Sequence, residues 1–271
     1  MGVQVSGVDV SENLGDAVIG RIRDLLHEHG VVLFRDQRLD EAGHLRFSRR
    51  FGEPRTHSQF TTSGHPQIIK LSNIIEHGQP VGLADAGRHW HSDTSYDPEP
   101  EYAAVLYSRE IPVPDANGET AGDTMFANAQ SAYDSLDEEL KARLQGLKAG
   151  FSRSKVKEGS VRARLTEEER RGMEVVHPLV RTHPATGRKA IYVNAGHTFR
   201  IDGLPPEEGQ ELLNYLYECV ARPEFVYRHK WRVGDVLMWD NCVVQHNAVA
   251  DYALPQRRLI HRIALKGTAP F

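Results

Sequence analysis

Arg88-His89-Trp90-His91-Ser92-Asp93-Thr94-Ser95-Tyr96-Asp97-Pro98 is the stretch that decides how the rest of the chain is read. On an extended strand, residues two apart point to the same face, so the His91 imidazole and the Asp93 carboxylate would project together. A His, a carboxylate and one further His make a facial triad that leaves three positions open on a non-haem Fe(II) ion. The pair alone is weak evidence. With 14 His in 271 residues, chance gives about 0.8 such pairs, and a surface His beside a turn-forming Asp is the simpler reading. The third ligand has to come from elsewhere in the chain.

It is offered near the C-terminus. In Gly234-Asp235-Val236-Leu237-Met238-Trp239-Asp240-Asn241-Cys242-Val243-Val244-Gln245-His246 a buried strand leads through Asp240-Asn241 to a His that can close the triad across a barrel. Downstream, Arg258 and Arg262 are four apart on a strand, so they share a face with Ile260 between them, while Leu259, His261 and Ile263 face the other way. Two guanidiniums on an inward face are costly unless anions meet them. A dicarboxylate cosubstrate would supply both partners, and bidentate carboxylate recognition suits the guanidinium fork.

Composition narrows the class. A chain of 271 residues holds one large domain or two small ones, and one domain over residues 1–271 is the expectation. Hydrophobic content of 39% and charged content of 26% are those of a soluble globular protein, and no apolar run is long enough to span a bilayer. Met1-Gly2-Val3-Gln4-Val5-Ser6 lacks the basic and apolar regions of a signal peptide. The two cysteines, Cys219 and Cys242, give neither a disulfide framework nor a zinc pattern and suit a reducing cytoplasm. A net charge of −4 argues against sequence-independent nucleic-acid binding.

Periodicity predicts an amphipathic helix over 12–29, a buried strand at Val31–Phe34, and a helix from the N-cap Asp40 to Phe51. Between His57 and Trp90 only Ile68–Leu71 reads as a strand, the remainder as a lid or binding loop. Strands are expected at 91–96, 103–108 and Thr124–Phe126, then a helix over 129–146. Ser152–Arg171 is charged and loop-like, a solvated face or a lid. Strand-like Lys189–Val193, a helix over Pro206–Ala221, alternating Phe225, Tyr227, His229 and Trp231, and strands at Val236–Trp239 and Leu259–Leu265 complete the chain. Short strands with helices packed outside point to a mainly β fold, a double-stranded β-helix (jelly-roll, cupin-like) core.

Trp90–Tyr96, Ala121–Phe126, His177–His183, Gly234–Asn241 and the segment from Gln245-His246 to Arg262 together resemble the Fe(II)/2-oxoglutarate-dependent dioxygenases of the taurine dioxygenase and chlorophenoxyacetate dioxygenase (TauD/TfdA) family. They appear in family order and cover almost the whole chain. The resemblance implies that His91, Asp93 and His246 ligate Fe(II), that Thr124 and Arg258 hold the distal carboxylate of 2-oxoglutarate, and that Arg262 sits near its metal-bound carboxylate and the substrate anion. It further implies O2 as co-reactant, release of succinate and CO2, and hydroxylation of a small-molecule substrate. Hydroxylation beside a heteroatom would break the carbon–heteroatom bond. A homo-oligomer, dimer or tetramer, is implied as well. Family members carry a further strand before the segment matching Gly2–Asp9, so a strand upstream, or a dispensable first strand, is expected.

The substrate pocket carries over residue by residue. His57 matches the His that touches the sulfonate in the taurine enzyme. Phe60 stands where that enzyme has Tyr, Thr94 where it has Val, and Arg153 and His197 near positions where it has Phe. Exchange of aromatics for Arg and His implies a substrate more polar or more anionic than taurine. Asn73, in Leu71-Ser72-Asn73, resembles the chlorophenoxyacetate enzyme and is a pocket candidate, with a turn residue as the alternative. Expected substrates are a sulfonate, an aryloxyalkanoate or a similar carboxylate, or, in a biosynthetic enzyme, an amino acid or natural-product intermediate. Two other classes compete. A zinc hydrolase could use the same triad to activate water but has no use for Thr124, Arg258 and Arg262 together. A cupin-like binding protein should have lost a ligand or an arginine.

Overall fold

Val31–Phe34, four apolar residues buried along their whole length, is a strand inside a seven-stranded sheet. The computed structural model describes residues 1–84, 87–153 and 174–271. From residue 154 onward the expected loop or lid at Ser152–Arg171 lies outside the described residues. The sheet runs in the order Val3–Val5, Val31–Phe34, Val236–Asp240, Ala103–Glu110, Leu259–Leu265, His65–Ser72, Thr61–Thr62. Only its first pair is parallel.

Because side chains alternate along a strand, this sheet separates two cores. Val32, Phe34, Val105, Met238 and Ile263 pack on one face with Ile19, Ile22 and Leu26 of the helix Asp16–His29 and Leu45 and Phe47 of the helix Glu41–Arg49. Val31, Leu33, Leu106, Leu237, Trp239 and Ile260 line the other face. Each such burial stabilises the fold by about 1.5–3 kcal/mol. Register carries the pattern across strands, with Leu237 opposite both Leu33 and Leu106. Arg262 is opposite Leu106, so it points to the inner face.

A smaller antiparallel sheet, Val226–His229, Thr124–Asn128 and Val244–Ala248, contributes Phe126, Ala127 and Val244 to the inner core. Two facing sheets with the helices outside are the jelly-roll arrangement expected. The site residues sit at one end of the space between them.

Local expectations differ from the structure where side chains compete for the backbone. The first helix starts at Asp16, because Gly15 is extended and Glu12 N–H already bonds to Asp9 O. The stretch 129–146 divides into Ala129–Asp134 and Glu138–Leu144, since Asp137 accepts from Leu140 N–H and caps a new helix. Residues 57–90 hold more strand than expected, including His65–Ser72 and the hairpin pair Ile75–Glu76 and Gln79–Pro80. Residues 91–96 do not form a strand. His91 makes one antiparallel bridge and the chain then turns, with Asp97 N–H bonding to Thr94 O at 2.7 Å and Thr94 in the left-handed region at φ +46°.

His44, on the buried side of the Glu41–Arg49 helix, interacts with His261 of the strand Leu259–Leu265. Burial, and then the facing His261, lowers the pKa of His44 to about 3, while burial and Arg109 lower that of His261 to about 4. Both stay neutral in the folded protein as pH falls, whereas the unfolded chain protonates them near 6.5, so stability drops between about pH 6.5 and pH 4. Glu101, raised to about 7 by burial, acts in the opposite direction with a single proton. At pH 5 the two histidines together should lower the free energy of urea unfolding by up to about 2 kcal/mol each relative to pH 7.5. Stability that is flat or rising over that interval would contradict this assignment.

Candidate metal and cosubstrate site

His246 lies in the strand Val244–Ala248 and His91 pairs with it through both backbone bonds, His91 N–H to His246 O at 3.1 Å and His246 N–H to His91 O at 2.8 Å. The imidazoles therefore leave adjacent backbone positions, their ring centroids 4.1 Å apart. The turn after Ser92 brings Asp93 back to them. Its N–H donates to Asn241 Oδ1 at 3.2 Å, which also accepts from Trp239 Nε1–H at 2.9 Å. Asp93 Oδ1 is 3.8 Å from His91 Nε2 and 3.7 Å from His246 Nε2, and the three candidate ligand atoms all lie within 4.8 Å of one another.

Proton positions suit ligation. His91 Nδ1 is 2.8 Å from His89 O, a bond that needs the Nδ1–H tautomer and leaves the Nε2 lone pair available. Burial, and then His91 beside it, holds His246 well below the ordinary imidazole range, so it too is neutral. Burial by itself would raise Asp93, but the Arg262 guanidinium beside it outweighs burial and holds the carboxyl well below the usual carboxylate range. Buried Asp93 Oδ2 and His246 Nδ1 have no hydrogen-bond partner among the described residues. Two imidazole nitrogens and one carboxylate oxygen, converging from one side, fit a divalent ion such as Fe(II).

A cavity of about 180 Å³ opens beside these atoms, lined by His91, Asp93, His246, Thr124, Arg258 and Arg262 and walled by Ile69, Leu71, Leu106 and Tyr252. The two arginines differ. Arg262 Nη2 is 3.0 Å from Asp93 Oδ2, an ion pair not aligned for a hydrogen bond, and donates to Glu101 Oε2. Arg262 lines the cavity while its Nη2 is engaged by two carboxylates of the chain. Arg258 has no carboxylate paired with it among the described residues, its Nε lacks a partner, and its guanidinium lies 5.8 Å from the Tyr252 ring. A buried guanidinium without an anion is destabilising and is satisfied by a ligand carboxylate. Thr124 Oγ1 accepts from Trp231 Nε1–H at 3.0 Å, which directs its own O–H elsewhere.

None of the six expected substrate residues lines this cavity. His197 stands beside it, its ring 5.6 Å from that of His91 and its Nδ1 2.9 Å from Ser95 Oγ. Arg153 is exposed, 6.0 Å over the ring of Tyr96, which in turn packs 4.8 Å from His197. His57 is half-buried, with Nε2 unpartnered and its pKa lowered to about 4 by burial, Arg262 and Arg55. Phe60 turns the backbone at φ +56° while its carbonyl accepts from Lys70 N–H, and Thr94 Oγ1 accepts from Glu101 N–H at 2.9 Å. Asn73 serves another purpose. Its Oδ1 accepts from Arg258 N–H at 2.9 Å and its Nδ2 donates to Gln256 O at 2.8 Å, so it fixes the backbone that carries Arg258.

Sequence reasoning missed Glu101, Asn241 and Tyr252. Asn241 had a signal in Asp240-Asn241, a polar pair ending a buried strand. Glu101 had none, since Pro98-Glu99-Pro100-Glu101 reads as a solvated turn. A second cluster, His27, His183 and Asp240, also gathers three candidate ligands. There His183 Nδ1 accepts from Ala185 and Thr186 N–H, so Nε2 carries the proton that bonds to Asp240 Oδ2 at 2.8 Å, and His27 Nε2 meets Tyr102 OH at 2.9 Å. Those donors are already used.

Comparison with known proteins adds an independent line. The profile of the family described as "Taurine catabolism dioxygenase TauD, TfdA family" matches residues 1–264. An alpha-ketoglutarate-dependent 2,4-dichlorophenoxyacetate dioxygenase of Cupriavidus pinatubonensis is 32% identical over 272 residues, covering 95% of this chain and 92% of that protein. Pentalenolactone F synthase of Streptomyces avermitilis is 32% identical over 285 residues, covering 97% of this chain and 90% of that protein. The crystal structure of a taurine dioxygenase from Burkholderia xenovorans superposes with a TM-score of 0.83 at 32% identity, covering 100% of this chain and 87% of that one.

Two glycines make room for the imidazoles. A Cβ on Gly196 would overlap the His89 ring and lie 3.1 Å from His91 Cβ, and one on Gly87 would lie 2.8 Å from His91 Cε1. Gly196→Ala should therefore lower the urea-unfolding free energy by about 1–3 kcal/mol. Gly20→Ala, with open space around its Cβ inside a helix, should raise it by about 0.5–1 kcal/mol. The reverse order would show that the packing around His89 and His91 is not as described.

Proposed function

The chain belongs to the taurine catabolism dioxygenase TauD, TfdA family and is a 2-oxoglutarate (α-ketoglutarate)-dependent dioxygenase, and we propose that His91, Asp93 and His246 hold its Fe(II). The observation that carries this reading is the convergence of three neutral or anionic donor atoms within 4.8 Å beside a cavity that contains an unpaired guanidinium. When bound, Fe(II) with 2-oxoglutarate supplies O2 activation, by which the cosubstrate becomes succinate and CO2 and a substrate C–H becomes C–OH.

The chain's own residues bind and orient. Arg258 receives the distal carboxylate of 2-oxoglutarate, with Thr124 beside it and Tyr252 against the guanidinium. Asn73 keeps Arg258 in place through its backbone N–H. Ile69, Leu71 and Leu106 exclude water from the cosubstrate. Arg262 stands behind Asp93. The substrate, in this reading, is a small organic anion such as a sulfonate, an aryloxyalkanoate or a similar carboxylate, received near His57, Arg153 and His197, with Phe60 and Thr94 shaping the backbone around them. His57, neutral at pH 7, offers a hydrogen bond rather than a charge. Where the hydroxylated carbon bears a heteroatom, the product loses it.

A second reading, a biosynthetic oxygenase acting on an amino acid or natural-product intermediate, is favoured by the similarity to pentalenolactone F synthase. We further propose that the chain works as one domain over residues 1–271, as a dimer or tetramer, and in the cytoplasm. Support for the last is that Cys219 and Cys242 are both free and buried, and that no helix among the described residues is long and apolar enough to cross a membrane.

Anaerobic Fe(II) and 2-oxoglutarate should give the weak visible charge-transfer band of the chelate in the wild type and no band in His246→Ala; a band of equal strength in both would remove His246 from the site. Arg258→Met should raise the KM for 2-oxoglutarate at least about tenfold, the loss of a charged hydrogen-bonding partner, and an unchanged KM would assign the distal carboxylate elsewhere. With a compound that shifts the band, chosen from sulfonates, aryloxyacetates and amino acids, His57→Ala and Arg153→Ala should each raise its KM. Unchanged kinetics in both would place the substrate away from them.

A further inference from the structure

Glu101 is the most deeply buried carboxylate touching the site that the reading above leaves without a task. It is 2% exposed and lies two residues before the start of the strand Ala103–Glu110. Its Oε2 accepts from Arg262 Nη2–H, its Oε1 lies 3.7 Å from Arg55 Nη1, and its backbone N–H is held by Thr94 Oγ1. Arg55 is in turn anchored, donating to Asp97 Oδ2 at 2.8 Å and Glu99 O at 3.1 Å. One guanidinium nitrogen, Arg262 Nη2, thus bridges Glu101 and Asp93 Oδ2.

The consequence concerns the direction in which Asp93 points. A carboxylate next to a guanidinium prefers a bidentate fork, which would turn both oxygens of Asp93 toward Arg262 and away from the imidazoles. Glu101 draws on the same Arg262 nitrogen that approaches Asp93 Oδ2 at 3.0 Å, so the guanidinium is held between the two carboxylates. Oδ2 takes that contact, and Oδ1 is left facing His91 and His246.

We propose that Glu101 is a positioning residue for the metal site, acting through Arg262 to keep Asp93 Oδ1 turned toward the two imidazoles. The proposal rests on the reading of His91, Asp93 and His246 as metal ligands. Arg262 Nη2 is thereby engaged beside the metal ligands, while Arg258 has no carboxylate paired with it among the described residues.

The test is Mn(II) affinity of the full chain, read from the electron paramagnetic resonance of free Mn(II), with no cosubstrate or turnover involved. Wild type should bind and His246→Ala should not, which checks the ligand reading by itself; equal binding by both would sink that reading and this inference with it. Glu101→Ala should weaken Mn(II) binding about tenfold, the lower end for loss of a residue that orients a ligand. Glu101→Gln keeps an oxygen that accepts from Arg262 and should return to within about threefold of wild type. Glu101→Asp keeps the charge but withdraws it from Arg262 and should bind several-fold more weakly than wild type. A simple field effect predicts the opposite order, with Gln as poor as Ala and Asp like wild type, and that result would overturn the proposal. Wild-type affinity in a folded Glu101→Ala would overturn it too. Should the Ala variant fail to fold, the Gln and Asp variants still decide.

Discussion

Two backbone hydrogen bonds between His91 and His246 hold the two halves of the site together. They join the end of a loop to the edge of the smaller sheet, and every other contact at the site presupposes them. The close, tilted approach of the two rings, the approach of Asp93 through Asn241, and the space left by Gly87 and Gly196 all follow once these two residues are paired. The arrangement is expensive in the bare chain. It removes two imidazoles and a carboxylate from water and leaves His246 Nδ1 and Asp93 Oδ2 without hydrogen-bond partners among the described residues. A divalent cation bound at the two Nε2 atoms and Asp93 Oδ1 would offset the desolvation of those three donors, and folding and metal binding should then support each other.

Charge is divided between the two arginines in a way their spacing alone does not suggest. Both line the cavity, Arg262 from within the strand Leu259–Leu265 and Arg258 from just before it, yet Arg262 Nη2 meets carboxylates of the chain and Arg258 has none paired with it among the described residues. In the proposed reading, Arg258 would receive one carboxylate of a dianionic cosubstrate at the end of the cavity away from the metal ligands. The polar groups fix its direction, and the apolar wall between them suits its methylenes.

Much of this was readable in the sequence because it depends on simple periodicity. The run Val31–Phe34 and the buried strand Val236–Asp240 follow from their apolar pattern, whereas Arg258 shares the cavity with Arg262 from outside the strand, beyond a register shift at Leu259–Ile260. The helix cap at Asp40 follows from its side chain. Residues 91–96 were misjudged in form although not in outcome: the pair His91 and Asp93 converges through a turn rather than an extended strand, because Asn241 and Thr94 take the backbone contacts a strand partner would have made. The break at Asp137 lost to a capping bond that a leucine spacing of four conceals. Asn73 and Glu101 act on Arg258 and Arg262 across separate strands, and contacts of that kind leave no trace in local pattern.

The central claim is that one metal ion sits between His91, Asp93 and His246. Anomalous scattering from crystals grown with Mn(II) measures this most directly. The account predicts one strong peak about 2.0–2.3 Å from the Nε2 atoms of His91 and His246 and from Asp93 Oδ1, typical of such ligands. A peak at His27, His183 and Asp240 instead, or none on any of the three ligands at saturating metal, would contradict it.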